Sequence, residues 1–160
     1  MNTFVPYGSA FHANALVLDK KRRFKQWVEC DQMLKGQFSH HPAVQMWAGR
    51  RGALIKYRNA IARACGRDVI DGEDDKMPEW IEDLAPIHRA KLKAKMPDHY
   101  GPCFDEHPEN LARYPVVSES GQMLDWVQRH DKVWKLDSVQ DKVFRTGWAA
   151  IQHRRTMCHT

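Results

Sequence analysis

Apolar residues recur at helical spacing along most of this chain, and Gly and Pro cut the pattern into segments. The clearest segment is Leu18–Leu34, LDKKRRFKQWVECDQML. Asp19 is a good N-cap and no Gly or Pro follows until Gly36, so the run predicts one helix. At helical spacing Phe24, Trp27, Val28 and Leu34 fall on one side, and Arg22, Lys25, Gln26 and Glu29 on the other. The first side suits a core. The second sets one carboxylate, Glu29, among cations at i−4 and i−7. That face is either an ordinary i,i+4 pair with Lys25, worth about 0.2–0.5 kcal/mol, or a surface for an anionic partner with an acid positioned to act on it.

The remaining elements follow from the same punctuation. Residues 2–7 read as a short extended segment, because Pro6 disfavours helix before it. Ser9 can cap a first helical piece, SAFHANALVL, in which His12 is a packed or surface residue. Pro42 suits the first position of a helix running to Cys65, with Gly66 as its stop and Val44, Trp47, Ala48, Ile55, Ala62 and Cys65 as its apolar stripe. Gly49 and Gly52 in that run point to close approach by a neighbour, since mid-helix glycine costs up to about 1 kcal/mol relative to alanine. Residues 68–79, DVIDGEDDKMPE, read as an exposed acidic loop, followed by a turn in which Trp80, Ile81 and Leu84 pack back onto the core. Pro86 opens a basic helix that ends before Pro97, and PDHYGP is a turn. After an irregular connector to about residue 118, QMLDWVQRHDKVWKL and DSVQDKVFRTGWAAIQHRR predict two amphipathic helices, capped by Ser120 and Asp137. Trp126, Val133, Trp134, Val139, Val143, Phe144, Trp148 and Ile151 are their core candidates. No strand is predicted, so the fold class is all-α.

Charge changes this picture more than composition does. The net charge of +5 hides an asymmetry: residues 1–67 carry 12 Lys/Arg against 3 Asp/Glu, while residues 68–87 carry 1 against 8. A basic first half is the footprint expected of a polyanion binder, although an acidic ligand or protein fits the charge alone equally well. No apolar run is long enough to span a membrane, and the first residues lack the order of a signal peptide, so a cytoplasmic protein is expected. Cys30, Cys65, Cys103 and Cys158 are widely spaced and read as reduced thiols, Cys158 near the chain end. His40-His41 resembles a metal pair, but nothing nearby completes a ligand set, and the acidic loop does not fit a calcium-binding loop.

Four blocks stand in order along the chain: the short N-terminal segment, the L-D-x-K-R-x-x-K-Q-x-x-E run ending at Glu29, the His41-Pro42-Ala43-Val44-x-Met46-Trp47 start, and His88-Arg89 followed by Pro97-Asp98-His99-Tyr100. In this order and spacing the chain resembles the pyrimidine-dimer DNA glycosylase family, the relatives of phage endonuclease V, over about Met1–Gly101. The resemblance implies a compact helical domain over residues 1–105, with 106–160 as a helical extension packed on it. It implies glycosylase action on UV-damaged double-stranded DNA with abasic-site lyase activity, no metal or other cofactor, and a monomer in a bacterial cell or phage-infected host.

The resemblance also implies roles. The α-amine at the N-terminus attacks C1′ of the damaged nucleotide, and Glu29 matches the assisting glutamate. Asn2 stands where a small residue would favour removal of the initiator Met, so the nucleophile is the amine of Met1, or of Asn2 if processing occurs. Val28 and Gln32 stand where the best-known members carry arginines, so phosphate contacts fall to other residues. Those are Lys21, Arg22, Lys25, Gln26, Arg50, Arg51, His88, Arg89, Lys91 and Tyr100. Two other readings of the same residues are a non-enzymatic DNA- or RNA-binding protein that keeps the fold and basic face, and a helical module whose C-terminal part docks a protein.

Overall fold

The computed structural model describes residues 2–106, 115–117, 123–128 and 134–138. The chain divides into two compact units, Met1–His88 and Arg89–Thr160.

The first unit opens on an extended segment whose residues Asn2–Val5 are buried. A turn at Tyr7–Ser9, with Gly8 at a positive φ of 55°, leads into α1 (Phe11–Val17). Ser9 is not the cap expected of it. Its hydroxyl donates to Glu82 Oε1 at 2.7 Å, and α1 starts two residues later without a side-chain cap. Helix α2 (Lys20–Leu34) begins as predicted, with Asp19 accepting from the Arg22 backbone N–H at 3.1 Å, and it stops at Gly36, φ 76°.

The predicted helix from Pro42 to Cys65 is two helices, α3 (Pro42–Gln45) and α4 (Arg51–Ala64). Gly49 adopts a φ of 69°, a left-handed conformation that ends a right-handed helix and that glycine enters without a Cβ clash. Arg50 and Arg51 therefore start a helix instead of lying inside one. Close approach does explain the second glycine, because a Cβ at Gly52 would collide with the side chain of Asp74. Helices α1 and α2 both pack on α4. The core includes Phe11, Leu18, Met33, Ile61 and Leu84, with Trp47 stacked on Tyr57 at 6.1 Å and edge-on to Trp80 at 5.2 Å.

The orientation of α2 differs most from expectation. Its buried residues are Gln26, Glu29, Cys30 and Met33, whereas Phe24 is 46% exposed and Trp27, Val28 and Leu34 are half-buried. The more polar side faces inward because it meets the N-terminal segment, whose backbone groups need hydrogen-bond partners. Phe24 and Trp27 lie against each other at 5.6 Å, with the Arg67 guanidinium within 5.8 Å and 5.2 Å of their rings.

The acidic residues 68–79 are an irregular, largely exposed stretch, as expected, but one fastened to α4. Asn59 donates to the Ile70 carbonyl at 2.7 Å and accepts from the Ile70 N–H at 3.0 Å. Asn59 and Arg63 donate to Glu73, holding its carboxyl below the usual range, and Lys56 pairs with Asp75. The expected turn at residues 80–84 is absorbed into α5 (Ile81–Lys95), which carries Pro86 inside it.

In the second unit the PDHYGP segment is a short helix, α6 (Pro97–Tyr100), followed by a 3-10 turn at Gly101–Cys103. The extension departs from the helical expectation. Its described part is an antiparallel sheet of β1 (Pro115–Val117), β2 (Met123–Gln128) and β3 (Trp134–Ser138) in the order β1-β2-β3. Pro115 opposes Asp125 and Leu124 opposes Ser138. Trp134-Lys135-Leu136-Asp137 alternates apolar and polar residues, the period of a strand, and Trp and Val are strand formers. The rest of the second predicted helix lies outside the described residues, as do Val133, Val139, Val143, Phe144, Trp148, Ile151 and Cys158. No helix among the described residues is long and apolar enough to cross a membrane.

The inverted orientation of α2 has a direct thermodynamic consequence. Met33→Ala should cost about 2–5 kcal/mol in a urea titration, as for a buried side chain. Phe24→Gln should cost less than about 1 kcal/mol, as for an exposed position. A reversed order would mean that the apolar stripe faces the core after all.

Candidate active site

The site is built where the N-terminal segment meets the inward face of α2. An extended segment leaves its N–H and C=O groups unpaired, and buried groups of that kind need partners. Here they come from side chains on three helices and the loop before α4. Gln26 of α2 accepts from the Phe4 N–H at 2.8 Å through Oε1 and donates to the Asn2 carbonyl at 2.5 Å through Nε2. The Tyr57 hydroxyl of α4 lies 2.7 Å from the Phe4 carbonyl and 2.8 Å from Gln26 Oε1, with one proton for the two acceptors. His88 of α5 accepts from the Val5 N–H through Nδ1 at 3.0 Å. Trp47 donates from Nε1 to the Thr3 hydroxyl at 3.0 Å.

Glu29 stands one helical turn after Gln26 and receives its amide. Gln26 Nε2 lies 3.1 Å from Glu29 Oε2, while Lys25 Nζ lies 3.7 Å from Oε1. The carboxylate's side chain is 10% exposed and that of Lys25 is 67% exposed, so the pair combines a sheltered acid with a solvated cation. The i,i+4 pair expected from spacing is present, but it is only one of the carboxylate's contacts. The Asn2 carboxamide is buried, and neither of its polar atoms has a hydrogen-bond partner among the described residues. Met1 lies outside the described residues.

Electrostatics around this focus keep several groups neutral. Burial raises the Tyr57 hydroxyl well above its ordinary value, with Cys30 and Glu29 adding to the effect, so it stays a proton donor. Burial, then the carboxylates of Glu29 and Asp31, push the Cys30 thiol up as well. His41 caps α3 by accepting from the Ala43 N–H at 3.1 Å through Nδ1, which places its proton on Nε2. Burial, and after it the positive charge of the chain's N-terminus, lower His41 to about 4.

The residues expected to touch DNA separate into groups. Lys21, Lys25 and Arg51 are exposed, and Arg22 and Arg50 are half-buried. Arg22 is engaged with the Asp19 cap at 2.7 Å, and Arg51 donates to the Leu34 carbonyl at 3.0 Å. Gln26 and His88, expected beside the cations, are buried and hold the N-terminal segment. Tyr100 is buried in the second unit and stacked on Phe104 at 5.8 Å. Arg89, bonded to Glu106 at 2.5 Å, and half-buried Lys91 belong to the second unit. Tyr57 and Trp47 were not singled out as site residues by sequence. Their signal was weak, an aromatic with a polar tip on an otherwise apolar stripe. Among the described residues no three His, Cys, Asp or Glu side chains are grouped to hold a metal.

The buried segment Asn2–Val5 thus lies against a helix face that carries one sheltered carboxylate, Glu29. Residues 1–67 match the model of the pyrimidine dimer DNA glycosylase family. That span contains Asn2, Gln26, Glu29, Trp47 and Tyr57, and stops before His88. No curated protein and no solved structure matches the chain.

The state of His41 sets a pH dependence. Its folded value of about 4 lies below the ordinary 6.5, so the unfolded chain binds more protons between those limits. Its contribution is intact above pH 6.5 and is lost as pH falls through the window towards 4. His41→Asn keeps a cap acceptor without a titrating ring. Urea titrations at pH 7 and pH 5 should show a smaller loss for His41→Asn than for wild type. Equal losses would remove His41 as a source of the slope.

Proposed function

We propose that this protein is a DNA glycosylase acting on pyrimidine dimers in UV-damaged duplex DNA, with abasic-site lyase activity carried by its N-terminal α-amine. The observation that supports this reading is the shared amide of Gln26, whose Nε2 holds the Asn2 carbonyl at 2.5 Å and the Glu29 carboxylate at 3.1 Å. Chain termini usually fray. This one is tied down at residues 2–5, next to an acid, in the span that carries the glycosylase pattern.

The chemistry follows from the groups. An α-amine has an ordinary pKa of about 7.7–8, so a neutral fraction with a free lone pair exists near pH 7, where a lysine would need a large depression first. The lone pair attacks C1′ as the bond from C1′ to the base breaks, and the base leaves with the bonding pair and takes up a proton. The C1′–O4′ bond then opens, O4′ takes a proton, and an imine joins the amine nitrogen to C1′. Loss of a proton from C2′ expels the 3′ phosphate and cuts the strand. Water then hydrolyses the imine and returns the amine. Glu29 is the nearby group suited to stabilise the cationic sugar and to move these protons. The amine is that of Met1, or of Asn2 where Met1 is removed. Lys21, Lys25, Arg51, Arg22 and Arg50 supply phosphate contacts, which fix register without reading bases. Weakened stacking at a dimer lowers the cost of distorting the duplex there.

Incubation with UV-irradiated or abasic duplex DNA and borohydride should leave a covalent adduct on the first peptide of the chain. Glu29→Gln should lower turnover by about 10²–10⁴-fold while DNA binding persists. Unchanged turnover in that variant would remove Glu29 from the reaction. Salt-sensitive binding with no adduct and no cleavage would favour the non-enzymatic reading instead.

A further inference from the structure

We infer that Gln26 is a positioning residue that sets the reacting amine against Glu29, a role that rests on the function proposed above. Its carboxamide does what a neighbouring β-strand would do. It accepts from the N–H of Phe4 at 2.8 Å and donates to the carbonyl of Asn2 at 2.5 Å, the two backbone groups on either side of Thr3. These contacts fix which end of the amide is oxygen, because only Oε1 can accept from Phe4 and only Nε2 can donate to Asn2. The two protons on Nε2 then divide between the Asn2 carbonyl and Glu29 Oε2 at 3.1 Å.

No other anchor of the segment has this property in the contacts described. His88 holds Val5, Trp47 holds Thr3, and Tyr57 holds Phe4 and Gln26 itself. Gln26 joins the segment and the acid through one nitrogen of a single planar group. Gln26 is 2% exposed and so does not touch a duplex in this arrangement. Its loss should therefore slow the covalent step and leave DNA binding in place.

The test uses the full chain carrying Gln26→Met, which keeps length and volume and removes both polar ends. Single-turnover borohydride trapping on an abasic duplex gives the covalent rate. Affinity for a duplex holding a tetrahydrofuran abasic analogue, which cannot form an imine, gives binding. Amide hydrogen exchange at Phe4 reports the clamp directly. Gln26→Met should trap about 100-fold more slowly, the scale of a misplacement near 1 Å, bind the analogue within about threefold of wild type, and exchange faster at Phe4. Tyr57→Phe removes one donor and leaves the carboxamide in place. It should trap about fivefold more slowly, the weight of one ordinary hydrogen bond, and it carries the test if Gln26→Met does not fold.

Wild-type trapping and Phe4 exchange in a folded Gln26→Met overturn the inference. So does a parallel loss of trapping and analogue binding, which would put Gln26 on the DNA. If wild type itself traps nothing, the proposed amine chemistry fails and the positioning role fails with it. Wild type that traps while Gln26→Met traps equally well removes Gln26 alone.

Discussion

The first unit depends on one constraint: an extended N-terminal segment is buried, so its backbone polar groups must be paired by side chains. Gln26, Tyr57, His88 and Trp47 meet that demand from α2, α4, α5 and the loop before α4. A net hydrogen bond is worth only about 0.5–1.5 kcal/mol, but a buried group left without one costs about 1–3 kcal/mol. The second figure explains why polar residues occupy positions that apolar ones would otherwise fill. It also explains why Glu29 sits inside the protein, carried there on the helical face that Gln26 turns inward.

Much of the framework could be read from the chain. Asp19 as a cap, Gly36 as a stop, the Pro42 helix start and the irregular acidic stretch rest on local chemistry that operates without tertiary help. The rotation of α2 could not. Apolar periodicity assumes that a helix buries its apolar stripe, and the rule fails when the inward neighbour is backbone. Phe24 and Trp27 were left to the outer face, where Arg67 covers their rings. The break between α3 and α4 was not legible, since a glycine inside a helical run, such as Gly49, reads as close approach until its φ of 69° is known. The strands of the extension escaped because short Trp- and Val-containing runs fit either period.

The candidate site was only partly legible in the sequence. Glu29 stood out by its cationic neighbours and by the ordered resemblance around it. Gln26 and His88 were placed with the DNA contacts because polar residues beside cations look like surface. Burial moves them into the set that holds the N-terminal segment. That change separates two tasks. Lys21, Lys25 and Arg51 are exposed and open to an anionic partner, while buried Gln26 and His88 hold the N-terminal segment.

The proposed chemistry makes the chain's own first amine the reacting group. The most direct measurement compares glycosylase and strand-cutting rates on UV-irradiated duplex DNA for the native chain and for a chain whose α-amine is selectively acetylated. Acetylation should abolish both rates while salt-sensitive DNA binding remains. Turnover unaffected by acetylation would contradict that chemistry and move the nucleophile to a side chain.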